Sequence, residues 1–144
     1  MRSEVSVWIL ISFRLLLLEA EKVALMARFA EDQFTCWNSP LDVAREGKME
    51  TIPFVYEQFD FQVPVDHSTA GVAMAWMRVY QHTGDLLALA KAKTLVDSIA
   101  RVQSENGRIP TVMFNNNPDD FGDIWANCTW QSITALMRFA ELAK

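Results

Sequence analysis

"YQHTGDLLALAKAKTLVDSIARVQSENGRIPT" (Tyr80–Thr111) decides the fold class, because it contains one helix-to-helix break, one long helix and the place where that helix stops. Leu86, Leu89, Ala90, Ala92, Leu95, Val96, Ile99 and Val102 recur at three- and four-residue steps, with Lys91, Lys93, Asp97 and Arg101 largely between them. That period predicts an amphipathic helix over about 85–103. Just before it, Thr83-Gly84-Asp85 is a tight break. Gly84 can supply a left-handed residue ending one helix, and Asp85 can cap the next. The helices on either side are therefore expected to lie antiparallel. After Gln103 the chain turns at Asn106-Gly107 and passes Pro110 in an extended step, a longer link than packing alone needs.

Outward from this stretch, apolar spacing predicts further helices at about 4–17, 20–36, 68–82 and 125–143. Residues 37–67 and 104–124 form long connections, which between them hold all five prolines. Connections of that length are unusual in small domains and often carry function. The chain also echoes itself. "AWMRVY" (Ala75–Tyr80) matches "ALMRFA" (Ala135–Ala140) at an offset of sixty, and "ALMARFAEDQ" matches "TLVDSIARVQ" at an offset of seventy. These echoes point to a repeated helical hairpin. Alternating inner and outer helices would bring 38–67 and 104–125 to the same end.

The 144 residues suffice for a single domain with one core, and 51% hydrophobic content argues against disorder. A net charge of −5 without a Lys/Arg cluster argues against a nucleic-acid partner. Cys36 and Cys128 lie far apart, and neither His67 nor His82 has metal-ligand spacing, so neither a disulfide framework nor a metal site is expected. No cofactor is implied. "VSVWILIS" is apolar, but Glu4 precedes it, Arg14 interrupts its continuation and no cleavage site closes it; the expectation is a buried helix rather than a signal or membrane anchor.

The Tyr80–Thr111 stretch, together with "PVDHSTAGVAMAW" (Pro64–Trp76) and "DIWANCTW" (Asp123–Trp130), resembles the hairpins of the (α/α)-toroid, or six-hairpin glycosidase-like, proteins. The resemblance covers residues 50–144 well and the first fifty weakly. It implies an all-α fold, a partial (α/α) toroid of about two and a half antiparallel hairpins with long loops on one face. A closed ring takes several hundred residues, so either a missing N-terminal part of the toroid or a homo-oligomer is implied. A complete chain would be cytoplasmic, whereas a longer parent allows export. The architecture hosts glycoside hydrolases, lyases, epimerases and inactive relatives. The implied function is part of a carbohydrate-active protein, a glycoside hydrolase acting on oligo- or polysaccharide. The alternative is a non-catalytic helical-repeat interaction module or inactive toroid fragment.

Glycoside hydrolysis needs two carboxyl groups flanking the scissile bond. Glu57, in the aromatic "FVYEQFDF", and Asp123, before Trp125, are the candidate acid and base. Glu57 also reads as a solvated loop residue and Asp123 as a helix N-cap. Asp66, His67, Trp125 and Asn127 are the candidate sugar contacts, with His67 and Asn127 equivalent at the sixty-residue offset. Local packing or capping is the other reading of His67. Trp76 and Trp130 read as core. Cys128 has no histidine near it in sequence, which argues against thiol chemistry.

Overall fold

The computed structural model describes residues 19, 21–32, 41–45, 48–58, 61–111 and 126–144. The expected helix at 4–17, and the candidates Asp123 and Trp125, lie outside the described residues. The fold is mostly helical. Helix α1 spans 21–32, α2 Asp66–Thr83, α3 Leu86–Val102 and α4 Ala126–Leu142. No described helix is long and apolar enough to cross a membrane.

The break at Thr83-Gly84-Asp85 forms as its residues dictate. Gly84 adopts φ 71°, and its N–H donates to the Tyr80 carbonyl at 2.8 Å, ending α2. Asp85 Oδ1 then accepts from Leu87 N at 2.9 Å, satisfying one open N–H of α3. With so short a link, α2 and α3 pack as neighbours. Their shared core holds Ala70, Ala73, Trp76 and Met77 of α2 with Ala88, Ala92, Leu95 and Ile99 of α3. The many alanines let the two backbones approach closely. Ala30 of α1 and Ala135 of α4 join the same cluster. Lys91 lies 4.4 Å from the centre of the Trp76 ring and also pairs with Glu31, so one α3 side chain ties α1 to α2.

The connection before α2 contains strands, which helical periodicity does not anticipate. Strand β1 (Leu41–Arg45) pairs antiparallel with β2 (Lys48–Ile52), from Leu41↔Ile52 to Arg45↔Lys48. The local signal in the sequence was Glu46-Gly47, a turn-forming pair between two short runs. Strand β3 (Tyr56–Gln58) pairs with β4 (Phe61–Pro64), with a register shift between Tyr56 and Gln58. These hairpins are two separate two-stranded sheets within a mostly helical fold.

The Gln103–Thr111 link is held by its own side chains. Asn106 Oδ1 accepts from the Ser104 hydroxyl at 2.7 Å and from Arg108 N at 3.2 Å, while Gly107 turns at φ 84°. Gln103 Nε2 donates to the Gly107 carbonyl at 2.9 Å, closing the turn onto the end of α3. Ile109, Pro110 and Thr111 then run inward and are buried.

Candidate functional site

The buried step at Ile109–Thr111 delivers the chain to the start of α2. Asp66 N donates to the Thr111 carbonyl at 3.1 Å, and Val65 N donates to the Val55 carbonyl at 3.2 Å. Arg101, in the last turn of α3, pairs with Glu50 of β2. The described parts of the two long connections therefore meet at one end of the helices, as the loop lengths predict. Helix α4 enters at the same end, because Ser132 on its second turn reaches Asp66.

Asp66 is the centre of this arrangement and is fully buried. Ser132 Oγ donates to its Oδ2 at 2.9 Å, and the backbone N–H of His67 donates to its Oδ1 at 2.7 Å. Burial pushes its pKa up from 3.8 to about 6, against the two donors, which favour the charged form. Asp66 therefore meets its neighbours rather than solvent. His67, the next residue, keeps 20% of its side chain exposed, with Nδ1 3.9 Å from Asp66 Oδ1.

His67 and Asn127 both occupy the second position of their helices, so the sixty-residue offset aligns the starts of α2 and α4. Asn127 is exposed, and its Oδ1 accepts from Cys128 Sγ at 3.6 Å. Glu57 lies in β3, two residues after Val55, whose N–H donates to Thr69 Oγ1 of α2 at 3.1 Å. The structure thus brings Asp66 and His67 together, and β3 belongs to the same end.

Three expectations change. Cys128, isolated from histidine in sequence, is placed beside His67 and Asp66: donor atoms of the three lie within 4.8 Å of one another. The aligned helix starts were the available signal, since Cys128 follows Asn127, the counterpart of His67. Trp130 is not core but 70% exposed, whereas Trp76 is core at 5%. The offset of seventy does not carry structural equivalence either, since Leu25 is 60% exposed and Leu95 is 1%. Arg78 and Arg138, by contrast, line one cleft with Gln81, Glu141 and Leu142, at the far end of α2 and α4 from Asp66.

No family model matches the chain, and neither does any curated protein or solved structure.

Proposed function

We propose that the chain is part of a carbohydrate-active (α/α) toroid, a glycoside hydrolase acting on oligo- or polysaccharide at the end where the long connections meet. The observation that carries this reading is the pair of backbone bonds from Asp66 N to Thr111 O and from Val65 N to Val55 O. They join both connections to the start of α2, which presents His67 beside the buried Asp66 carboxyl. Glu57 and Asp123 are the proposed acid and base. His67, Asn127 and Trp125 contact the sugar, and Asp66 holds the first turn of α2 in place. Hydrolysis of a panel of oligosaccharides, followed by reducing-end release, tests the assignment. Glu57→Gln and Asp123→Asn should each abolish turnover while sugar binding persists. Full turnover in both variants would remove them from the catalytic role.

A second reading, a non-catalytic helical-repeat module, is favoured by one observation. At the sixty-residue offset Ala70, Ala73 and Met77 of α2 correspond to Trp130, Ile133 and Met137 of α4. The α2 residues are at most 3% exposed, whereas the α4 residues are 70%, 39% and 61% exposed. Helix α4 thus leaves open a stripe whose α2 counterpart is core, and the occupant that fits is another apolar-striped helix of the α3 kind. Sedimentation of the wild type against Met137→Glu separates the readings. Self-association lost in the variant supports the module, and an unchanged monomer in both removes it.

A further inference from the structure

Asp66, His67 and Cys128 bring three different donor types together: a carboxylate oxygen, an imidazole nitrogen and a thiol sulfur, all within 4.8 Å. Their placement follows from the backbone. Asp66 and His67 are the first two residues of α2, and Cys128 is the third of α4. The Ser132–Asp66 hydrogen bond clamps the two helix starts in this relation. We propose that these three side chains form a binding site for a divalent transition-metal ion of the zinc class. The proposal goes beyond the carbohydrate reading and does not depend on it.

The chemistry selects the ion. Thiolate and imidazole favour borderline-soft metals over calcium or magnesium, which prefer all-oxygen shells. Three protein ligands leave a fourth tetrahedral position open, as in zinc sites that bind water or substrate. Cys128 is 2% exposed and Asp66 is fully buried, so the open position lies on the His67 side, where a fifth of the side chain reaches solvent. Ligands of a tetrahedral zinc sit roughly 3.6 Å apart. Closing from 4.8 Å takes side-chain rotations of about an ångström, without moving either helix. The donors that hold Asp66 are those a metal-bound carboxylate needs. Ser132 Oγ–H on Oδ2 and His67 N–H on Oδ1 fix its orientation from behind. On binding, the Sγ–H bond breaks, its proton goes to solvent and Sγ bonds the metal with no change of oxidation state. Neither histidine shows ligand spacing along the chain, because the third donor comes from a helix sixty residues later.

The test is cobalt(II) titration of the full chain after chelator treatment, followed by absorbance. Wild type should saturate at one equivalent with a near-ultraviolet thiolate-to-cobalt band that zinc displaces. Cys36→Ser should keep the band, and Cys128→Ser should lose it. His67→Gln and Asp66→Asn should weaken binding by at least about ten-fold. Far-UV circular dichroism checks that each variant folds. Should Cys128→Ser or Asp66→Asn unfold, His67→Gln decides, since His67 is partly exposed. The proposal is overturned if the wild type does not bind, if His67→Gln binds as tightly as wild type, or if Cys36→Ser abolishes the band.

Discussion

Ser132 Oγ donates to Asp66 Oδ2 across 2.9 Å, joining the first turn of α2 to the second turn of α4 through residues sixty-six positions apart in the chain. Both residues are fully buried. Ser132→Ala removes the donor and leaves a buried carboxyl oxygen short of a partner. The expected loss is about 1–3 kcal/mol, the cost of such an orphaned group. Urea unfolding, with an unchanged slope and a lower midpoint, measures it. An unchanged midpoint would mean that the pair does not hold α2 to α4.

Asp66 also sets a pH dependence. Its pKa in the folded chain, about 6, lies above the ordinary 3.8, because burial disfavours the charge. The native state therefore holds the proton more tightly than the unfolded chain. The stability this adds is fully present below about pH 4 and is lost as pH rises through about 6. A shift of this size corresponds to about 3 kcal/mol as an order of magnitude. The difference in unfolding free energy between wild type and Asp66→Asn should change across that window and be flat above it. Ser132→Ala removes a donor that favours the carboxylate, so its window should move to higher pH. A wild-type-minus-variant difference that is flat from pH 4 to 7 would contradict the assignment.

Gly84 is a backbone position rather than a packing one. Its φ of 71° is in the left-handed region, and a Cβ added there meets nothing within 4 Å. Gly84→Ala should therefore cost about 1 kcal/mol from backbone strain alone. Gly84→Asn should cost less, because Asn tolerates that region. Equal midpoints for glycine and alanine would show that the α2–α3 turn relaxes to another geometry.

The helical part of the fold was legible because its signals are local. Leu95, Val96 and Ile99 mark the buried face of α3 by period alone, and Thr83-Gly84-Asp85 carries its own turn chemistry. Strands β1–β4 were not read from the sequence. Short pairings depend on partners whose register no single segment encodes, and Gly47 was the one local cue. At the candidate site, Asp66 and His67 were legible as lying at the start of a helix. Ser132 and Cys128 were not, because their relation to Asp66 exists only once α4 packs beside α2. Trp130 shows the converse limit. Period assigns a residue to an apolar stripe, but not whether another element covers it.

Thr69 couples the connection that carries Glu57 to the first turn of α2. Its Oγ1 accepts from Val55 N at 3.1 Å and donates to the Val65 carbonyl at 2.8 Å, while Val65 N itself donates to the Val55 carbonyl. Thr69 is fully buried, so water cannot replace either bond without opening the site. Thr69→Val keeps the shape and removes both. The Val55 N–H is then left without its acceptor, at an expected cost of about 1–3 kcal/mol. Thr69→Ser keeps the hydroxyl and should recover most of that loss. Hydrogen exchange gives the sharper reading: the Val55 amide should lose protection in Thr69→Val and regain it in Thr69→Ser. If Val55 stays protected in the valine variant, β3 is anchored to α2 by the Val65 pairing alone, and Thr69 only fills space.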